Sequence, residues 1–137
     1  MRVVLHTNVI VAALGSRLGA SFEILRRLRA GRFEAAVTVA LLLEYEAILD
    51  RKRVDLGLSE NDVGVIVDAL AALSVRVAAG PSGRPRLADP GDELVLDAAL
   101  AARAQRIVTH NVRHFAGVER FGLGVSMPGK FLAEEAP

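Results

Sequence analysis

Met1-Arg2-Val3-Val4-Leu5-His6-Thr7-Asn8 is the stretch whose reading decides the fold. Val3, Val4 and Leu5 form a short unbroken apolar run, which suits a strand buried on both faces, and polar His6, Thr7 and Asn8 follow abruptly. In open α/β sheets, ligands bind outside the carboxyl ends of the strands, so His6 and Asn8 stand where chemistry is expected. Much later, Arg106-Ile107-Val108-Thr109 predicts another strand that ends in polar His110 and Asn111.

Working outward, Val9 to Leu14 is apolar enough to start a helix, with a break over Gly15 to Gly19. Phe22, Leu25 and Leu28 recur at helical spacing from Ser21 to about Gly31, and Glu34 to Thr38 predicts a second strand. Thr38 can cap a helix to roughly Arg53 with the stripe Leu41, Leu42, Tyr45, Ile48 and Leu49. Glu44 lies on the edge of that stripe and points toward the packed side, while Glu46, about 200° away around the helix, points to water. A carboxylate aimed inward needs a partner. Tyr45 reads as core.

Ser59-Glu60-Asn61-Asp62 has the form of a capping box, and the helix it opens continues through Val63, Ile66, Val67, Leu70 and Leu73. Ser74 to Ala78 predicts a short strand, and Gly80 to Arg86 a surface loop. Asp89-Pro90-Gly91-Asp92-Glu93 then precedes the Leu/Ala-rich run Leu94 to Ala104. Asp89 as cap, Pro90 in the first helical position, and Asp92 and Glu93 complementing the dipole explain these acids structurally; a site explains them equally well. Leu123 to Ser126 predicts the last strand, and Pro128 opens a terminal helix around Phe131 and Leu132. Alternating strands and helices with short connections argue for a three-layer α/β/α sandwich on a mainly parallel sheet, with residues 1–137 forming a single domain.

Composition narrows the chemistry. With 52% hydrophobic residues, 137 residues can bury a sizeable core. The absence of cysteine removes disulfides, thiolate metal sites and a cysteine nucleophile, and is compatible with a reducing cytoplasm. No basic start with h-region and cleavage site is present, and no apolar run reaches the roughly 18 residues of a membrane span, so a soluble cytoplasmic protein is expected. A net charge of +1 gives no bulk pull on polyanions. The local clusters Arg26, Arg27, Arg29, Arg32 and Arg51, Lys52, Arg53 read as solvated helix faces.

Glu44, Asp92 and the ends of the first and the Thr109 strands can converge at one sheet edge. Clustered carboxylates suit hard divalent cations with water and phosphate, and a metal-activated water attacking phosphorus is a natural chemistry there. At these residues the chain resembles the PIN-domain family of metal-dependent ribonucleases, which includes the VapC-like toxins of toxin–antitoxin pairs. The resembling segments are Leu5-His6-Thr7-Asn8, Leu43-Glu44-Tyr45-Glu46, Asp89 to Glu93, and Val108-Thr109-His110-Asn111 with Arg113 and Phe115. The resemblance implies a PIN-like fold and endonucleolytic cleavage of RNA with Mg²⁺ or Mn²⁺. It implies Glu44 and Asp92 as metal ligands, with Glu93 the near alternative to Asp92, His6 and Asn111 in the remaining catalytic positions, and Thr7, Asn8, Thr109 and Glu93 in support. Asp89 and Asp97 are further carboxylates in reserve. It also implies a small antitoxin partner and homodimerisation.

The departure from the family pattern is at its first acid, which is His6 here, while Asn111 takes the optional fourth acid. Three readings of His6 stand open: an inactivating substitution, a working ligand in an altered site that favours softer ions than Mg²⁺, or a neutral histidine that only hydrogen-bonds. The first and third make the chain a noncatalytic module that binds an antitoxin or RNA. Thr7, Asn8 and Thr109 are expected to hold strand-end loops by hydrogen bonds. His110 and His114 read as surface histidines, with contact to RNA phosphate as the alternative.

Overall fold

The computed structural model describes residues 1–80 and 85–135, so the centre of the loop expected over Gly80 to Arg86, at 81–84, lies outside the described residues. Five strands, β1 (Arg2–Leu5), β2 (Glu34–Val37), β3 (Val75–Arg76), β4 (Arg106–Val108) and β5 (Gly124–Ser126), form one sheet in the order β3-β2-β1-β4-β5. Every neighbouring pair is parallel. Among the described residues six helices accompany it: α1 (Thr7–Gly15), α2 (Ala20–Arg29), α3 (Val39–Leu56), α4 (Glu60–Leu73), α5 (Pro90–Ala101) and α6 (Pro128–Glu135).

The continuous apolar run of β1 is explained by cores on both sides. Val3 and Leu5 pack with Ile24 and Leu28 of α2 and Phe131 of α6. Val4 packs on the opposite face with Leu41, Tyr45 and Leu96 from α3 and α5. Burying each such side chain contributes about 1.5–3 kcal/mol. Helix α1 sits across both cores at the sheet's carboxyl edge, with Val9 in one and Ile10 in the other.

Local chemistry sets several boundaries as expected. Thr38 Oγ1 accepts the Leu41 N–H at 3.0 Å and starts α3. Ser59 and Asp62 exchange the reciprocal bonds of a capping box at 3.0 and 2.8 Å. Other boundaries differ from the sequence expectation. Helix α1 begins at Thr7, with only His6 between it and β1, so Thr7 and Asn8 form a helical first turn and not a strand-end loop. Helix α5 starts at Pro90 behind the Asp89 cap, as the capping reading has it, but stops at Ala101, not Ala104. Two 3₁₀ turns, Val112–Phe115 and Val118–Phe121, link β4 to β5. They place Phe115 and Val118 against the α5 side of the sheet.

Among the described residues, no single helix is long and apolar enough to cross a membrane. Helices α1 and α2 together pass that test of length and composition, but they meet at 102° and their apolar faces lie in the cores just described.

Candidate functional site

Strand β1 is the point from which the sheet extends in both directions, to β2 on one side and β4 on the other. The crevice at such a switch point is where open α/β sheets place ligands. Leu5 is in register with Val108, so His6 and Thr109 follow side by side at its mouth. The His6 N–H donates to Val108 O at 2.9 Å. From below, the buried Tyr45 hydroxyl donates to Leu5 O and fixes the end of β1; burial pushes the phenol well above its ordinary range and keeps it a donor.

Thr109 is fully buried and its hydroxyl organises the site. Its Oγ1 accepts the Asn111 N–H at 3.0 Å and an Asn8 Nδ2–H at 3.4 Å. The Asn8 amide is orientated by its own Oδ1, which accepts the His110 N–H at 3.3 Å. A hydroxyl has two acceptor sites and one proton. With both acceptor sites used, Thr109 donates its proton to His6 Nδ1, 2.7 Å away. The remaining His6 proton is then on Nε2, directed at Asp92 Oδ1 at 3.0 Å. Burial holds the His6 pKa below its ordinary value, against the opposing pull of Asp92, and this agrees with a neutral ring.

Asp92 is delivered by the first turn of α5, whose cap is Asp89: its Oδ1 accepts Gly91 N–H at 2.7 Å and Asp92 N–H at 3.2 Å. The helix dipole favours the charge there, and the carboxylate is 4% exposed. Its second oxygen, Oδ2, is engaged by His114 Nδ1 at 3.2 Å, from the first 3₁₀ turn. Glu44, from α3, comes close to the start of α5 across Gly91. A Cβ on that glycine would sit 3.1 Å from Asp89 Oδ1 and 3.6 Å from Glu44 Oε1, so a larger residue would crowd both carboxylates. A cavity of about 280 Å³ is lined by His6, Asn8, Glu44, Asp92, Asn111 and His114, together with Lys52 and Asp89.

The geometry brings together His6, Thr7, Asn8, Glu44, Asp92 and Asn111 around this cavity and puts Thr109 beneath it. It does not bring Glu93 there. Glu93 is buried on another side of α5, where Oε2 accepts the Arg86 and Leu87 N–H groups at 3.1 and 2.9 Å and Oε1 meets Arg86 Nε at 3.1 Å. Asp97 is bound by the same guanidinium. Two residues that the sequence placed on the surface belong to the site. His114 is exposed yet reaches Asp92, and Lys52 lines the cavity four residues beyond Ile48; helical spacing from Glu44 and Ile48 was a signal for Lys52, while nothing local signalled the contact of His114 with Asp92.

A divalent cation would need lone pairs converging on one point. Here His6 Nε2 carries a proton, and both Asp92 oxygens accept imidazole N–H groups. Among the described residues, no three His, Asp or Glu side chains form a group that could hold an ion. The donor set therefore does not fit Mg²⁺ or Mn²⁺ in this arrangement: His6 offers a hydrogen-bond donor where an ion would need a lone pair.

A family model described as PIN domain matches residues 2–113. Among solved structures, the chain is similar to one in the crystal structure of VapBC2 from Rickettsia felis bound to a DNA fragment from their promoter. The TM-score is 0.65 and the identity 18%, with 93% of this chain and 98% of that chain covered. No curated protein matches.

Proposed function

The chain belongs to the PIN-domain family, and on that premise we propose that it is the toxin of a toxin–antitoxin pair, built on a metal-dependent endoribonuclease fold whose cleavage His6 weakens or abolishes. The observation that carries the reading is the 3.0 Å contact from His6 Nε2 to Asp92 Oδ1, which turns a carboxylate expected to face a cation toward an internal donor. The ion of the ancestral activity is Mg²⁺ or Mn²⁺, with Glu44 and Asp92 as its protein ligands, residue 6 completing the set as an acid, and Asn111 at the rim. As written, the chain lacks that set. Residues 1–137 act as one domain, in the cytoplasm, on an RNA substrate.

The decisive experiment compares the chain with His6→Asp on folded RNA in the presence of Mg²⁺ or Mn²⁺. His6→Asp is expected to cleave at least tenfold faster, because it restores a charged oxygen ligand and releases Asp92. Robust cleavage by the unaltered chain that disappears in Glu44→Ala would overturn the reading.

A second reading, a noncatalytic module that binds an antitoxin or RNA, is favoured by the fully satisfied hydrogen-bond network around His6. The similar Rickettsia felis structure is of a VapBC2 assembly on promoter DNA, which supports an antitoxin as partner under either reading. Homodimerisation belongs to the same proposal and is checked by sedimentation. Calorimetry in which His6→Asp also fails to bind a divalent ion would favour the noncatalytic module.

A further inference from the structure

A second cavity, of about 310 Å³, adjoins the site. It is lined by His110, Asn111, Val112, Arg113, His114 and Met127, so it shares Asn111 and His114 with the cavity that holds Asp92. The two differ in charge. Glu44, Asp89 and Asp92 line the first, whereas the second has no carboxylate, one guanidinium and two imidazoles.

About half of the described arginines elsewhere pair with carboxylates. Arg27 and Arg32 hold Glu135, Arg86 holds Glu93 and Asp97, and Arg106 holds Glu134. Among the described residues no carboxylate pairs with Arg113, and its residue is exposed beside this second cavity. His110 has its Nε2 fixed at 3.0 Å from Ser21 Oγ, which orientates the ring. Val112 and Met127 are 39% and 50% exposed and supply an apolar floor. The first cavity lies outside β1 and β4; the second lies outside β4 and β5, because Met127 directly follows β5. Both lie along the same carboxyl edge of the sheet.

We propose that this second cavity is a phosphodiester subsite: Arg113, with His110 and His114 beside it, holds a backbone phosphate of a single nucleic-acid strand while the neighbouring nucleotide faces Asp92. Val112 and Met127 carry the sugar or base between them. The bidentate guanidinium suits two phosphate oxygens, and the lack of a local carboxylate removes the repulsion a phosphate would meet in the first cavity. The proposal rests on the ribonuclease-fold reading for its substrate class, but its test requires no turnover.

The test is fluorescence anisotropy with a labelled 12-nucleotide single-stranded RNA, and DNA of the same sequence, in EDTA across a salt series. Arg113→Gln is expected to weaken binding about fivefold at low salt and to reduce the log–log salt slope by about 0.7, as loss of one phosphate contact to a single strand requires. Arg76→Gln, on the edge strand β3 at the far side of the sheet, is expected to leave both unchanged. Arg113 dependence for both strands identifies the shared phosphate contact, and the tighter strand identifies its source. No binding, or equal effects of the two substitutions, would overturn the subsite. Cleavage by His6→Asp with binding indifferent to Arg113 would overturn the subsite and leave the ribonuclease reading standing; the opposite result would do the reverse.

Discussion

Aspartate and histidine at position 6 differ in the sign of what they offer. A carboxylate there would stand beside Asp92 as a second negative acceptor, tolerable only with a cation between them. The neutral imidazole donates to Asp92 instead, and Thr109 decides which nitrogen does so. Thr109→Val keeps the shape but removes the proton donated to Nδ1 and the acceptor used by Asn111 N–H. It is expected to cost about 1–3 kcal/mol, read as a lower denaturation midpoint. Nitrogen NMR of the imidazole should show the Nε2–H tautomer in the unaltered chain and a mixture in Thr109→Val; the same single tautomer in both would refute the assigned role. The position of His6 at a strand end was legible from residues 3 to 8. Its tautomer was not, because the groups that set it come from β4 and the loop beyond, about 100 positions away.

At the scale of the element, α5 shows why the sequence left the acids unsorted. Asp92 and Glu93 are consecutive, so they diverge by about 100° around the helix, and only the helix phase decides which faces the crevice. The structure gives Asp92 to His6 and Glu93 to the backbone of residues 86 and 87. Glu93→Ala would leave the Arg86 and Leu87 N–H groups and Arg86 Nε without their acceptor, while the guanidinium keeps Asp97. It is expected to lower stability by about 2–3 kcal/mol while leaving the divalent-ion response of the His6→Asp protein intact; loss of that response with an unchanged melting temperature would return Glu93 to the site. The far end of α5 was hidden by composition, since the Ala-rich run has no glycine to mark a stop. The stop is Arg103 at φ +53°, with Ala104 N–H closing onto Ala99 O at 2.9 Å, a left-handed helix cap made without glycine. Relief of that conformation outweighs glycine's extra unfolded entropy, so Arg103→Gly is expected to gain about 0.5–1 kcal/mol in chemical denaturation. By contrast, the starts of α3 and α4 were readable because Thr38, and Ser59 with Asp62, act within three residues of themselves.

For the whole molecule, the buried imidazole and the surface carboxylates act in the same direction with pH. Burial lowers the folded pKa of His6 below its ordinary 6.5, so the unfolded chain takes up this proton first. Stability from that source is complete above pH 6.5 and falls as the pH drops toward the folded value. Glu23 adds a later step: hydrogen bonding to Arg26, with Arg27 assisting, lowers it from 4.5 to about 2, and what it contributes is lost across that interval. Asp97 opposes this. Burial and the nearby Glu93 raise its pKa above 3.8, so acidification through the raised value relieves a cost there and offsets part of the decline. The melting temperature is therefore expected to be level from pH 8 to 7, to decline from about pH 6.5 downward, and to decline again below about pH 4.5. In His6→Asn the first decline should disappear while the second remains. Equal slopes between pH 7 and 5.5 in the two proteins would mean that His6 is not held neutral by its surroundings, and the argument that its Nε2 proton closes the site on Asp92 would fail with it.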